Sequence, residues 1–182
     1  MVDFKKTSRR LLIAVGFLVS ATGAMAQSSA TGTGTATATV IRPITITNSI
    51  DALAFGNIVP SGVAGTLELT AAAVTVATPA GGITQPAATP GTRTAASFTV
   101  GGEGGFTYAI TLPGVAQTIT GPAAATMTVT AFTSSPAATG TLSNALGVAG
   151  TETLYVGGTL NVGVNQAPGN YTGTFSVTVA YN

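Results

Sequence analysis

Short runs of alternating apolar and polar side chains occupy most of the chain, separated by Gly, Pro, Asn or Ser. The last run, residues 171–181, is the most regular, because Phe175, Val177, Val179 and Tyr181 fall on one side and threonines or serine on the other. A period of two places successive side chains on opposite faces of a β-strand. Apolar spacing of three and four residues, which is typical of helices, is missing. The pattern predicts an all-β, immunoglobulin-like antiparallel sandwich with no significant helix outside the signal peptide inferred below.

The alternating runs predict a series of short strands. They span residues 35–47 with a break at Arg42-Pro43, 52–58, 65–70, 73–77, 94–100, 106–112, 126–132, 153–156, 159–164 and 171–181. Two stretches rich in Gly, Pro and Ala, residues 78–96 and 134–152, are predicted to be long surface loops. Because strand patterning continues on both sides of each loop, we expect one domain over residues 27–182.

The first 26 residues have the layout of a secretory signal. Four basic residues precede an apolar run over residues 11–21, and Ala24 and Ala26 supply the small side chains that a signal peptidase site requires. This predicts cleavage after Ala26 and export to the periplasm, the cell surface or the extracellular space, with Sec and twin-arginine export both left open by Arg9-Arg10. Since the run is shorter than the roughly 20 residues of a membrane-spanning helix, no transmembrane segment is expected.

Removal of the signal changes the charge of the protein. The remaining chain has no lysine, and its charged side chains are two arginines, Arg42 and Arg93, and four carboxylates. With no basic cluster to neutralise phosphates, we expect no binding to nucleic acid. Cysteine and histidine are absent from the whole sequence, so stability is expected to come from burial and strand pairing instead of disulfides.

The acidic residues offer little catalytic chemistry. Asp51, Glu68, Glu103 and Glu152 are far apart in sequence and are interpreted as solvated charges, because no histidine or cysteine accompanies them. The Gly-rich stretch at 101–105 has no helix behind it and is interpreted as a hairpin loop and not as a phosphate site. No Asp- and Asn-rich calcium loop is present. We therefore expect no catalytic residue, no cofactor and no metal ion.

The run over residues 31–47 alternates in a different way. Its threonines fall on one face, and the opposite face carries only small or β-branched side chains: Gly32, Gly34, Ala36, Ala38 and Val40. Arg42-Pro43 interrupts the ladder, and proline is tolerated only at sheet edges and bulges. This predicts an edge strand, or a strand that passes from one sheet to another.

Several stretches resemble a family of bacterial secreted proteins known only as a domain of unknown function, DUF4402. They are "TATVIRPITIT", "LAFGNIVPSG", "AASFTVGGEGGFTYAITLP" and "TETLYVGGTLNVGVNQAPGNYTGTFSVTVAYN". The resemblance covers most of the chain after the signal. Since the family has no established activity, it implies a fold and little mechanism.

The C-terminal part is also similar to pilin subunits of the chaperone–usher type. Those subunits end in an alternating strand with a penultimate aromatic residue and an upstream glycine, positions matched here by Tyr181 and Gly169. The resemblance implies an open groove beside the last strand, filled by a periplasmic chaperone and then by the N-terminal extension of another subunit, here residues 27–40. Two departures are plain, because the disulfide of those pilins is absent and the face of residues 32–40 is small.

These observations leave two classes of function open. The leading hypothesis is an exported, non-enzymatic structural or adhesive surface protein, pilin-like, that self-associates or joins another surface protein by strand complementation. Its candidate assembly residues are Ala36, Ala38, Val40, Gly169, Phe175, Val177, Val179 and Tyr181. The alternative is a monomeric periplasmic or cell-surface module that binds a glycan or surface polymer through the 78–96 loop. A hydrolase is third, and requires Glu68, Glu103 or Glu152 to meet in one cleft.

Overall fold

The computed structural model describes residues 28–48 and 51–182, so the predicted signal peptide lies outside the described residues. The chain divides into two compact units, Met1–Ala38 and Thr39–Asn182. In the first unit, residues 28–38 are exposed and have no regular secondary structure. Within the described parts of the chain, no helix is long and apolar enough to cross a membrane.

The second unit consists of antiparallel strands and one short 3-10 helix, Pro122–Ala124. In chain order the strands are β1 Thr45–Asn48, β2 Ala54–Phe55, β3 Val59–Leu69, β4 Ala77–Thr84, β5 Arg93–Thr94, β6 Ala96–Glu103, β7 Thr107–Thr111, β8 Gln117–Thr120, β9 Thr126–Ser135, β10 Thr139–Thr141, β11 Ala149–Val162 and β12 Thr178–Tyr181. The prediction of an all-β antiparallel fold is confirmed.

Strand β11 organises the largest sheet because, at 14 residues, it is long enough to pair with two strands along one path. Its first part pairs with β6 and its second part with β3, giving the order β1-β6-β11-β3-β4, and β9 with β8 extends the sheet from β11. A three-stranded sheet has the order β10-β7-β12, and β2 pairs with β5. The sheets curl into a sandwich-like half-barrel.

Two clusters of buried side chains form the core. The first is centred on β6, β7 and β11 and contains Ala96, Val100, Tyr108, Leu142, Leu154 and Val156. The second is centred on β3, β9 and β11 and contains Leu67, Ile83, Val129, Leu160 and Val162. Each large apolar side chain contributes about 1.5–3 kcal/mol when it is fully buried, so alternation along the central strands accounts for much of the stability.

The two predicted long loops are wrong in part. Residues 78–96 contain most of β4, all of β5 and the start of β6, and residues 134–152 contain β10 and the beginning of β11. Pairing with β3 overrides the low strand propensity of the Gly- and Pro-rich β4, which is an edge strand, where proline is tolerated. The strand predicted over 73–77 is instead mostly a connection in which Val74 and Val76 are exposed.

Other boundaries differ because pairing partners, which a sequence does not reveal, set where a strand begins and ends. The strand predicted over 35–47 begins only at Thr45, and the one predicted over 52–58 is reduced to β2. The two strands predicted over 153–164 are one strand, β11, whose pairing with β9 shifts register between Gly157 and Thr159. Strand β8 has no counterpart among the predicted strands.

Candidate functional site

The second unit contains an open cleft of about 1080 Å³. One wall is formed by residues 51–60, which follow β1, and the other by residues 166–175, which precede β12. Its floor is apolar and includes Phe98, Ile119, Met127, Val129, Phe132 and Leu160. Asp51 is the one charged residue that lines it. A cleft of this size is at the upper end of the range for ligand sites and has room for more than a single side chain.

The second wall presents an unpaired backbone. Thr172 exchanges two hydrogen bonds with Thr120, at 2.8 and 3.0 Å, and pairing resumes at Thr178, which lies opposite Thr111 of β7. Between them, residues 173–177 form no strand and make no backbone–backbone hydrogen bond to any described residue. We call these five residues the free edge. Unpaired backbone at a sheet edge is a template for the addition of a further strand.

Three phenylalanine rings line the cleft, and one of them, Phe175, belongs to the free edge. Phe175 packs against Phe98 edge-on, with ring centroids 6.3 Å apart, and against Phe132 with centroids 5.2 Å apart. All three rings are only partly buried. Phe175 projects inward because it belongs to the alternating C-terminal run, and the predicted inward residues Val177, Val179 and Tyr181 also pack against the first core cluster. We call this set of three rings the aromatic floor.

A polar cluster closes the other end of the C-terminal run. The Tyr181 hydroxyl accepts a hydrogen bond from the Glu103 N–H at 2.6 Å and donates one to the Arg42 carbonyl at 3.0 Å. The Arg42 Nη1 lies 2.9 Å from Glu103 Oε2, and the Arg42 N–H donates to the same oxygen at 3.2 Å. We call Arg42, Glu103 and Tyr181 the clasp, since together they join the segment before β1 to the end of β12.

Glu103 is buried, so its interpretation as a solvated charge is wrong. Its side chain is 3% exposed, and the Gly147 N–H donates to Oε1. Hydrogen bonds from the Gly147 and Arg42 backbone, together with the Arg42 guanidinium, hold the pKa of the Glu103 carboxyl below its ordinary value. Residues 101–103 end β6, and residues 104–106 connect it to β7, which belongs to another sheet, so the stretch is not the predicted hairpin loop.

Glu152 is a second engaged carboxylate. Its Oε2 accepts hydrogen bonds from the Tyr108 hydroxyl and from the Thr141 N–H, both at 2.8 Å. Burial, followed by the contact with Glu152, raises the pKa of the fully buried Tyr108. The pair satisfies the polar end of a core tyrosine, which is a structural role.

The predicted assembly residues fall in three different environments. Ala36 and Ala38 are exposed and lie outside any strand, and Val40, in the second unit, is 95% exposed. Gly169 lines the cleft with φ of 144°, a conformation that strongly favours glycine, and a Cβ there would overlap Pro122. Only the last group, from Phe175 to Tyr181, joins the core. Of the predicted residues, Gly169 and Phe175 line the cleft.

Residues 51–60 form the wall that sequence reasoning missed. Leu53, Phe55 and Ile58 are half-buried and pack against the core clusters. The apolar spacing of "LAFGNI" predicts a strand, but only its Ala54–Phe55 part pairs with β5. Within residues 28–48 and 51–182, no group of three metal-ligating side chains comes together.

A family model matches residues 44–181, and its description is Domain of unknown function (DUF4402). The match confirms the resemblance drawn from the sequence motifs. It covers both walls of the cleft, its floor and most of the clasp region, while the run over 31–40 lies outside it. No curated protein and no solved structure matches the chain.

Proposed function

The chain belongs to the DUF4402 family, whose description assigns no activity, and we propose that it is an exported, non-enzymatic structural subunit that assembles by β-strand addition at the cleft. The observation that carries the proposal is the free edge, five consecutive residues without a backbone partner among the described residues, beside a largely apolar cleft. In strand addition, backbone hydrogen bonds supply affinity and the side chains of the added strand contact the surface beneath it.

The edge lacks the usual protection against association. Natural proteins guard exposed edges with lysines, inward charges, prolines or bulges. Residues 173–177 contain no charge and no proline, and the chain after residue 26 has no lysine at all. An edge of this kind favours a partner, and the partly buried rings beside it would lose their remaining contact with water when a strand covers them.

The chain also carries a segment suited to be the added strand. Residues 28–38 are exposed, have no regular secondary structure and belong to a unit separate from the sandwich. Their threonine-rich alternation is compatible with a strand once a partner is available. Donation of this segment to a second copy would join subunits head to tail, and repetition of that contact would give an open filament.

Export and a non-enzymatic role complete the proposal. Export is supported by the basic, apolar and small-residue pattern of the first 26 residues. A structural role is supported by the state of the carboxylates, because Glu103 is engaged by Arg42 and Glu152 by Tyr108. Neither carboxylate lines the cleft.

Assembly of the chain from residue 27 onward tests the proposal. We expect multiples of the subunit mass in size-exclusion chromatography with light scattering, and ladders on gels run without boiling. A variant that lacks residues 27–38 removes no residue of the sandwich unit and should be a monomer. A full-length chain that is monomeric at all concentrations would contradict assembly.

The alternative, a monomeric binding module, finds support in the amides on the cleft walls. Asn57, Gln117 and Asn170 line the cleft and offer donors and acceptors to a polar ligand. The 78–96 segment, which this alternative predicts to be the binding loop, contains most of β4 and all of β5, and only residues 85–92 between them form a loop. Saturable binding of a soluble polysaccharide by the variant lacking residues 27–38, lost on Asn170→Ala, would favour this alternative.

A further inference from the structure

We infer that the cleft is a preformed binding site for a neutral single-chain lipid, such as a monoacylglycerol. The alkyl chain lies on the apolar floor, and the uncharged head group faces the open side. The inference goes beyond the proposed function and does not depend on it. An added strand uses the backbone of the free edge, whereas the lipid uses the floor, and the two occupants compete for the same space.

The wall formed by residues 51–60 is held by the loop between β4 and β5. The Asn57 N–H donates to the Pro90 carbonyl at 2.8 Å, and the Asn57 side-chain amide donates to the Thr89 carbonyl at 2.9 Å. Gly56 has a φ of 74°, and a Cβ there would overlap the Pro90 carbonyl, so the loop approaches this wall closely. Since neither Thr89 nor Pro90 lines the cleft, these contacts hold the wall and leave the space in front of it open.

The wall formed by residues 166–175 has its own anchor. The Gln166 side chain donates to the Thr126 carbonyl at 3.2 Å and to the Tyr171 hydroxyl at 2.8 Å, and that hydroxyl donates to the Ala167 carbonyl at 2.7 Å. Because Thr126 belongs to β9, this wall is tied to the large sheet. Both walls are therefore held by hydrogen bonds within the free chain, and a site that is open before its ligand arrives has less ordering to do on binding.

The base of the cleft is aliphatic. Three of the side chains that line it are almost fully buried and belong to the second core cluster: Val129, Leu160 and Val162. The partly buried Ile119 and Met127 pack against that cluster, and the aromatic floor lines the same cleft. An alkyl chain on this surface is removed from water, and each methylene that is buried raises the affinity about fourfold.

The amides of the cleft favour a lipid over a sugar. Three of the side-chain amide nitrogens that line it already donate to backbone carbonyls: those of Asn57, Gln117 and Gln166. A sugar carries a hydroxyl on nearly every carbon, and hydroxyls that enter an aliphatic site without partners lose their hydrogen bonds to water. A lipid places only methylene groups there and keeps its hydroxyls at the open side.

The charge of the cleft disfavours an anionic head group. Among the described residues that line the cleft, Asp51 is the one charged side chain. Its carboxylate accepts a hydrogen bond from the Ser97 hydroxyl at 3.3 Å, which does not neutralise it. A fatty acid would bring a second negative charge close to Asp51 with no lining cation to offset the repulsion. A neutral head group avoids this cost.

Calorimetric titration with two lipids of equal chain length tests the inference. Monodecanoylglycerol and decanoate, both below the concentrations at which they form micelles, are titrated at pH 7 into the chain from residue 27 onward and into the variant lacking residues 27–38. We expect saturable binding of monodecanoylglycerol, about threefold or more tighter than that of decanoate. Asp51→Asn should reduce this preference by strengthening the binding of decanoate. A lack of saturable binding of monodecanoylglycerol to both forms would overturn the inference, as would tighter binding of decanoate.

A charge on the floor separates binding in the cleft from binding elsewhere. Met127 lines the cleft and is only partly buried, so Met127→Glu places a carboxylate where the alkyl chain lies and should weaken monodecanoylglycerol binding about tenfold or more. The matched control is Val76→Glu in the exposed connection between β3 and β4, which should change the affinity by less than about twofold. Circular dichroism checks folding, and Met127→Gln serves if Met127→Glu does not fold. Equal affinities of the two glutamate variants would place the lipid outside the cleft and overturn the inference.

The outcomes distinguish the inference from the proposed function. Assembly of the chain from residue 27 onward, together with no lipid binding by either form, would overturn the inference and leave strand addition standing. A chain that stays monomeric and binds monodecanoylglycerol would contradict assembly and support the inference. Tighter lipid binding by the variant lacking residues 27–38 than by the longer chain would support both, because an added strand then competes with the lipid for the cleft.

Discussion

The two halves of the C-terminal run have the same alternation and different surroundings. In residues 178–181, Val179 and Tyr181 point inward and the backbone pairs with β7. In residues 173–177, Phe175 and Val177 point inward as well, but the backbone has no partner among the described residues. The difference arises in the neighbouring strand. Strand β7 ends at Thr111, and Pro113, which cannot donate a backbone hydrogen bond, follows shortly after it.

Alternation and pairing are therefore separate properties of a strand. Alternation decides which side chains are buried, and a neighbouring strand decides whether the backbone is satisfied. The paired half, with its clasp, is expected to contribute to the stability of the folded chain. The unpaired half is expected to contribute less to stability and more to association, and the following variants test this division.

The largest effect is expected in the core below the paired half. Leu154 of β11 is fully buried, so Leu154→Ala should lower the free energy of unfolding by about 2–5 kcal/mol. Phe175→Ala in the unpaired half should lower the free energy of unfolding of the monomer by less, because that ring is only partly buried. Urea unfolding of the form lacking residues 27–38 measures both without assembly. A larger loss for Phe175→Ala would contradict the division.

The clasp should have the next largest effect. Tyr181→Phe removes the acceptor of the Glu103 N–H and the donor to Arg42, and should lower the free energy of unfolding by about 1–3 kcal/mol. Tyr171→Phe is the matched control at the start of the same run, because its hydroxyl contacts Gln166 and the Ala167 carbonyl, two partly exposed residues, whereas the N–H that Tyr181 accepts belongs to the buried Glu103. We expect a smaller loss for Tyr171→Phe in the same urea experiment, and equal losses would argue against a special role for the clasp.

The inward face of the C-terminal run was predictable because it depends on period alone. Phe175, Val177, Val179 and Tyr181 all pack against the core as the alternation indicates. The end of the pairing at Thr178 was not predictable, because it depends on where β7 ends, a segment more than sixty positions earlier in the chain.

Buried Glu103 is the clearest feature that sequence reasoning missed. A lone glutamate between glycines resembles an exposed loop, and its partners Arg42 and Tyr181 are distant in sequence. The signal lay in the glycines, because a Cβ at Gly102 would overlap the Tyr181 hydroxyl and one at Gly104 would lie 2.6 Å from the Ala145 carbonyl. Such close approach requires glycine, but a sequence does not show which element approaches.

A smaller effect on the free energy of unfolding is expected when the pH is lowered. Because the folded pKa of Glu103 lies below its ordinary value of 4.5, the carboxylate stabilises the folded chain above that pH, and this contribution is lost as the pH falls through the folded pKa. Glu103→Gln should be less stable than the parent at pH 7, and the difference should shrink toward pH 3. Urea midpoints at several pH values measure it. A difference that is constant with pH would show that ionisation of Glu103 is not what stabilises the clasp.

The smallest effect on stability, and the sharpest contrast between the halves, is expected from lysine on the exposed face of the run. Ser176 and Thr178 are both exposed, so Ser176→Lys and Thr178→Lys should each change the free energy of unfolding by less than about 0.5 kcal/mol. A lysine within the free edge guards it against an added strand, whereas one on the paired half leaves the edge open. Ser176→Lys should therefore reduce assembly in light scattering and Thr178→Lys should leave it largely intact. Equal assembly of the two variants would show that residues 173–177 do not form the contact between subunits.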